Sequence, residues 1–408
     1  MHLTTLTKQI KIIQHGDIAT PTGYQAGGLH CGIRKKKLDL GWLFSTVPAY
    51  AAGVYTLNSF QAAPLKVTKD SLSVDGKLQT LIVNSGIANA CTGKQGERDA
   101  YEMRQLIADR FNVKPHHAAV ASTGLIGEPL PMAVIRKGVN AIDPMVQTSD
   151  QFETAILTTD TKEKGLAIEL EIDKKKIKIG GAAKGSGMIK PNMATMLSFI
   201  TTDAVVAPRA LDNALKELTN QSFNMITVDG DTSTNDMVLL MANGLAGNKR
   251  LDENHPEWSI FLEALSFVFQ TLAKEIARDG EGATKLIEVQ VDGTATNEGA
   301  EKIAKAIIGS NLVKTAIHGA DANWGRIITA IGYSGVILDP EHVTVKLGNI
   351  PVVNQGVPVQ FDEAEAKQYL EQDEVLILVS LGNGPGHTVG WGCDLSYEYV
   401  RINASYRT

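Results

Sequence analysis

Between residues 166 and 179 the chain largely alternates apolar and charged side chains. Leu166, Ile168, Leu170 and Ile172 interleave with Glu169 and Glu171, and Ile177 and Ile179 interleave with Lys176 and Lys178. A period of two marks strands with one buried face, and the turn Asp173-Lys174-Lys175 joins the two runs as a hairpin. The hairpin leads into the most unusual segment of the chain, Gly180 to Thr195, rich in Gly and Ala. A mostly apolar run from Met196 to Ile200 closes that segment. Small residues there permit tight turns and close approach of backbone to a ligand. A chain of this kind is built around a sheet, with a strand on either side of a Gly-rich connection.

The rest of the sequence alternates strand and helix signals. Leu81 to Asn84 reads as a strand end, followed by the small-residue loop Ser85 to Gly93 and a helix from about Glu97 to Phe111. Ala119 to Ala121 is a short buried strand that stops at Ser122-Thr123-Gly124. Helices are expected over 151–157, 211–218, 258–276 and 300–308, and strands over 286–291, 343–347 and 375–379. No repeat of solenoid period is present. With 408 residues, two or three folding units are the prior.

Composition narrows the function classes. At 43% hydrophobic and 21% charged the chain is globular rather than disordered. A net charge of −6 gives no basic face for nucleic acid. The run Arg34-Lys35-Lys36-Lys37 reads as a solvated turn. Cys31, Cys91 and Cys393 are few, odd in number and far apart, so no disulfide framework and a reducing cytoplasm are expected. The start Met1-His2-Leu3-Thr4 has no apolar signal core, and no apolar stretch is long enough to span a membrane. His116-His117, His318 and His387 show no metal-ligand spacing with a carboxylate, so no metal is expected.

Three segments carry chemistry. A Thr hydroxyl is a weak nucleophile unless a base sits beside it. A Thr that begins a chain has one, because its own α-amine titrates near 7.7–8.0. Ala194-Thr195 could supply such a Thr if the bond between them breaks: Ala194 is small, the nearby glycines allow a kink, and Pro191 restricts the approach. From the residues alone, an ordinary Thr in a Gly-rich connection is the commoner reading, since Ala-Thr pairs are common. Thr123 and Gly124, at a strand end, could aim a hydroxyl and an amide at one oxygen. Each such donor contributes about 2.7–4 kcal/mol to lowering a barrier, though a plain turn also fits. Glu281, bracketed by Gly280 and Gly282 just after a long helix, could meet a substrate amine, or cap the helix in solvent. Two weaker matches are Gln290 to Ala295, a loose acetyl-CoA loop pattern, and Lys184 to Gly187, which lacks the order of a phosphate loop.

Taken together, these segments resemble the ornithine acetyltransferase family, also called the bifunctional arginine biosynthesis (ArgJ) family. The resemblance is carried by residues 184–197, 84–93, 122–127, 158–161, 229–236, 280–285, 319–326 and 403–408, in order and over nearly the whole chain. Ile87 departs from the polar or small residue expected there. The resemblance implies an α/β layered fold with mixed sheets, shared with self-cleaving aminopeptidases of the DmpA type. It implies an α chain of residues 1–194 and a β chain of residues 195–408, the latter divided at about 285/286. Thr195 would be the nucleophile, taking acetyl from N-acetylornithine and passing it to glutamate. Thr123 and Gly124 match the oxyanion pair, and Thr158, Lys184, Thr195, Glu281, Asn403 and Thr408 match substrate contacts. No cofactor is implied, and acetyl-CoA is an additional donor in some members. The partners implied are the two chains of one precursor, as an α2β2 heterotetramer. The alternatives are a DmpA-type amidohydrolase or aminopeptidase that releases the acyl group to water, and a non-catalytic binding protein.

Overall fold

The structure is a computed structural model that describes residues 10–145, 148–190 and 196–405. In chain order the first strands are β1 (Lys11–Ile13), β2 (Tyr24–Leu29), β3 (Leu40–Tyr55), β4 (Lys77–Ile87), β5 (Ala118–Leu125), β6 (Lys164–Ile172), β7 (Lys175–Lys184) and β8 (Leu197–Thr202). They are followed by β9 (Ile226–Thr227), β10 (Met237–Ala242), β11 (Leu286–Gly293), β12 (Thr344–Leu347), β13 (Ile350–Asn354), β14 (Val357–Pro358), β15 (Glu374–Ser380) and β16 (Gly384–Cys393). Interspersed helices are α1 (Ala63–Asp75), α2 (Gly93–Phe111), α3 (Met132–Ala141), α4 (Ser149–Ile156), α5 (Pro208–Gln221), α6 (Trp258–Arg278), α7 (Asn297–Ile308), α8 (Asn311–His318), α9 (Trp324–Gly332), α10 (Glu363–Leu370) and α11 (Tyr397–Ser405).

Two mixed sheets organise these elements. The larger runs β1-β6-β7-β8-β10-β3-β4-β5, with β2 also on β3, and the smaller runs β14-β13-β12-β15-β11-β16-β9. The expected hairpin is β6 and β7, paired from Ile172↔Lys175 to Lys164↔Ala183. Strand β8 then pairs antiparallel with β7, from Lys184↔Leu197 to Ile179↔Thr202. The Gly-rich connection therefore joins two neighbouring strands of one sheet, and β8 and β10 complete a sheet that mostly precedes residue 195.

Helix α6 is the central spacer. Its buried Phe261, Leu265, Val268, Phe269, Leu272 and Ile276 lie in one core cluster with Ile168, Ile179 and Ile200 of the larger sheet and Ile287, Val289 and Ile377 of the smaller. Full burial of each such side chain contributes about 1.5–3 kcal/mol. Facing the other side of the larger sheet, α4 places Phe152 and Ile156 beside Leu81, Val83, Leu197 and Phe199. Helices α1, α2 and α3 share a further cluster with Leu40, Trp42, Ile82 and Val120. No helix among the described residues is long and apolar enough to cross a membrane.

Several local expectations need correcting. Strand β5 does not stop before Thr123 but carries it and Gly124 in the ladder, paired with Ser85 and Gly86 of β4. Arg34 is not part of a solvated turn: its guanidinium donates to the carbonyls of Leu157 at 2.6 Å and Thr158 at 3.1 Å. Strand β11 runs on through Asp292 and Gly293, two residues past the expected end at Val291.

Candidate active site

A cleft of about 180 Å³ is lined by Thr123, Gly124, Thr158, Lys184, Glu281 and Asn403, with Thr159, Asp229, Asn235 and Tyr399 among its other walls. Six of the expected site residues thus meet in one place. Ala194, Thr195 and Thr408 lie outside the described residues. The chain on either side of residues 191–195 is well anchored. Before them, Ile189 O accepts from Val228 N at 2.7 Å and Lys190 O accepts from the Thr232 hydroxyl at 3.0 Å. After them, Met196 N donates to Asp236 Oδ1 at 3.0 Å, and Met196 O accepts from Met237 N at 3.1 Å. The segment from Val228 to Met237 therefore holds both flanks.

Thr123 and Gly124 reach the cleft at the C-terminal end of β5. Gly124 has φ +128°, and a Cβ there would stand 2.3 Å from the carbonyl carbon of Gly86, so only glycine allows the strand end to close against β4. Behind it, Asn235 donates to Ala88 O at 2.6 Å and Ser122 O at 2.8 Å, tying the two strand ends to the 228–237 segment.

Lys184 ends β7 and is almost wholly buried. Its ammonium donates to the Thr158 hydroxyl at 2.8 Å, lies 3.5 Å from the Thr123 hydroxyl and is 3.7 Å from Asp160. Burial pushes its pKa down, opposed by the Asp160 carboxylate. Asp160 continues inward to Lys164 at 2.8 Å, and Lys164 to Asp279 at 2.6 Å, so cation and carboxylate alternate through the interior. Burial alone would raise the Asp160 carboxyl, but Lys184 and Lys164 outweigh it and hold it well below the usual carboxylate range. Asp160 also accepts from Gly185 N at 2.6 Å, fixing the start of the Gly-rich connection.

Glu281 follows the C-terminus of α6. Its amide donates to Ser186 O at 2.8 Å, and its carboxylate accepts from Asn403 Nδ2 of α11 at 2.7 Å. Gly187 is small for a reason: a Cβ there would lie 2.3 Å from the Glu281 carboxyl carbon. Asp229 caps the same wall by accepting from Met188 N at 2.6 Å and Ile189 N at 2.8 Å. The cleft thus offers the Lys184 cation, carboxylates that include Glu281 and Asp229, and the Thr123 hydroxyl with the Gly124 amide at a strand end, an arrangement suited to a zwitterionic substrate whose acyl group undergoes transfer.

Sequence reasoning named no role for Asp160, Lys164, Asp279, Asn235, Arg34 or Asp236. Several stand in motifs that carried the resemblance, but most of their partners lie far along the chain, as Asp279 does from Lys164 and Ala88 from Asn235. Asp75, His116 and His117 also come together, with His117 Nε2 at 2.9 Å from Asp75, a grouping that spacing did not reveal. Cys31, Cys91 and Cys393 are free.

Comparison with known proteins places these residues in context. The ArgJ family model matches residues 25–408. The arginine biosynthesis bifunctional protein of Oceanobacillus iheyensis is 58% identical over 405 residues, covering 99% of this chain and 100% of that one. Its counterpart in Bacillus subtilis is 56% identical over 393 residues, covering 96% and 97%. The crystal structure of the Bacillus halodurans protein of the same name is 57% identical, with a TM-score of 0.51, over 52% of this chain and all of that one.

Proposed function

The chain belongs to the ArgJ family, and from that premise we propose that it is a glutamate N-acetyltransferase of arginine biosynthesis that first cuts itself between Ala194 and Thr195. The observation that carries this reading is that Thr123, Gly124, Thr158, Lys184, Glu281 and Asn403 gather in one cleft. The length of the Bacillus halodurans chain supports it, since a chain from Thr195 to Thr408 would make up the same share of this one, about half.

The chemistry runs in two stages. In the first, the Thr195 hydroxyl attacks the Ala194 carbonyl, the peptide nitrogen leaves as an amine, and water hydrolyses the resulting ester. In the second, that amine takes the hydroxyl proton as Thr195 attacks the acetyl carbonyl of N2-acetyl-L-ornithine. The Thr123 hydroxyl and Gly124 amide face the developing oxyanion. Glu281 pairs with the ornithine side-chain ammonium, with Asn403 orienting the carboxylate, and Lys184 with Thr158 faces the α-carboxylate. Ornithine leaves, and the α-amine of L-glutamate takes the acetyl group from Thr195. One pocket serves both amino acids because both carry an α-carboxylate. Thr408 completes the substrate contacts, and the two chains assemble as an α2β2 heterotetramer.

The test is the Thr195→Ala variant, measured by intact mass and by acetyl transfer. A single uncut species near 43.8 kDa with no transfer is expected, and efficient processing of that variant would sink the mechanism. Omitting glutamate separates transfer from hydrolysis: acetyl release to water at the full rate would favour an amidohydrolase. Supplying acetyl-CoA with glutamate alone shows whether it acts as a donor.

A further inference from the structure

We propose that Asp75, His116 and His117 form a binding site for a first-row divalent cation of the zinc type, apart from the cleft. The proposal does not depend on the function assigned above. Asp75 is the last residue of α1, and His116 and His117 end the 3-10 turn Pro115–His117 that leads into β5. One ligand atom from each residue comes within 4.8 Å of the other two. The Nε2 atoms of His117 and His116 stand 2.9 and 3.8 Å from the same oxygen, Asp75 Oδ2. Ligands held tetrahedrally at about 2.0–2.1 Å from zinc are about 3.3–3.4 Å apart. The two observed separations fall either side of that spacing.

Neighbouring groups orient the three side chains. Asp75 Oδ1 accepts from Lys77 N at 3.2 Å, which turns Oδ2 towards the histidines. Gln79 donates its amide to Ser45 O at 3.3 Å, so its carbonyl oxygen is the atom 3.4 Å from His117 Nδ1. That oxygen holds the ring proton on Nδ1 and leaves Nε2 with a lone pair, as in metal-bound histidines. In a neutral His117 this lone pair faces a carboxylate oxygen at 2.9 Å, two acceptors with no proton to share. A cation between them removes the conflict and engages His116 as well, which a proton on His117 does not. The grouping of Asp173, His255 and Glu257 differs in this respect. His255 Nδ1 accepts from Glu257 N at 3.2 Å, so its Nε2 carries the proton and donates to Asp173 at 3.2 Å, leaving no ring lone pair for a metal.

Charge and access agree with a cation. Asp75 places a negative charge at the negative end of the α1 dipole. Among the described residues it has no ion pair with a lysine or arginine, and the Lys77 ammonium lies instead over the Tyr50 ring. The His117 side chain is 6% exposed, whereas those of His116 and Asp75 are 29% and 35% exposed, so the site opens to solvent on one side. Two imidazoles with one carboxylate suit zinc, nickel or cobalt, while magnesium and calcium take oxygen ligands. The bound cation ties the end of α1 to the start of β5. It extends a clamp already made by the Ser71 and Thr68 hydroxyls, which donate to Ala118 O and Val120 O at 2.8 Å each. Five residues of extended chain, about 17 Å, separate Ala118 from Thr123, so the cation acts on stability from the far end of that strand.

The experiment adds Zn2+, or Mg2+ as a control, to the untagged, metal-free protein at about pH 7.5, where an ordinary histidine is neutral. Binding is read by calorimetry and unfolding by Tm. One Zn2+ per chain is expected to bind saturably and to raise Tm by a few degrees, and Mg2+ to do neither. His117→Gln and His116→Ala are each expected to weaken Zn2+ binding at least tenfold. Should His117→Gln fail to fold, His116→Ala carries the comparison, because its side chain is partly exposed. A wild type that shows no saturable Zn2+ binding overturns the proposal and leaves a His117–Asp75 ion pair in its place. Weakening of less than tenfold in His116→Ala overturns it too, as does Mg2+ binding as tight as that of Zn2+.

Discussion

Lys164 lies buried between Asp160 at 2.8 Å and Asp279 at 2.6 Å, and the Asp160 end of this chain of charges touches the cleft through Lys184. Removing the middle cation leaves two buried carboxylates facing each other. Lys164→Met is therefore expected to destabilise the fold by about 3–5 kcal/mol, read by chemical denaturation. A loss under 1 kcal/mol would mean that water replaces the ammonium. Glu281 and Asn403 present a different case, since they pair with each other in the cleft wall. Glu281→Gln keeps the hydrogen bond from Asn403 but loses the charge. Its kcat/KM for N-acetylornithine is expected to fall about tenfold or more, one charged hydrogen bond being worth about 1.5–3 kcal/mol, with little change in stability. At this scale Thr123, Gly124, Lys184 and Glu281 were legible from residue type and motif. Lys164 was not, because nothing local separates a buried lysine from the exposed lysines around it.

Elements were read well where one period dominates and poorly where partners decide. The hairpin β6–β7 emerges directly from its alternation. The sixteen-residue β3 does not, because Gly41, Pro48 and Gly53 interrupt its pattern. Its register against β4 skips between Phe44 and Ala49, which leaves Pro48 off that ladder, and its pairing with β2, β4 and β10 imposes the extended form. The two glycines at the end of β5 differ in a testable way. A Cβ on Gly124 meets Gly86 backbone, whereas one on Gly127, at φ +89°, meets nothing within 4 Å. Gly124→Ala is expected to abolish transfer and shift the strand end. Gly127→Ala should cost only about 1–3 kcal/mol of backbone strain and leave activity largely intact. Equal activity losses in the two variants would show that strain, not the close approach, is what matters. In α6, Leu272→Ala is expected to cost about 2–5 kcal/mol, because that helix fills the space between both sheets.

For the whole molecule, the expected cut falls between neighbouring strands. The β7–β8 ladder, from Lys184↔Leu197 to Ile179↔Thr202, spans it, so the two chains should copurify under native conditions and separate only in denaturant. Chains that part in native buffer would contradict this. Stability of the whole fold should also carry an acid signature from Glu153, buried on α4. Burial, reinforced by the carboxylates of Asp17, Glu163 and Asp150, raises its pKa from 4.5 to about 8. The folded state then binds a proton that the unfolded state has released, so this group favours folding less and less as pH climbs from about 4.5 to 8. Glu153→Gln is expected to raise Tm at pH 8.5 by several degrees and to change it little below pH 5. An equal shift at both pH values would rule out the titration.

The amino-acid sequence by itself determined the α/β character, the hairpin, the family and the types of residue that face the substrate, because period, turn chemistry and ordered motifs are local properties. The tertiary structure alone decided which of those residues share a cleft, that Arg34 braces the chain at Leu157 and Thr158, and that Asp160, Lys164 and Asp279 form one buried chain of charge. It also decided that Asp236 holds the amide next to Thr195. Apart from Asp160 with Lys164, these are pairings between residues far apart in the chain. Their energies depend on burial and on distances of about 3 Å, which exist only once both sheets have closed around α6.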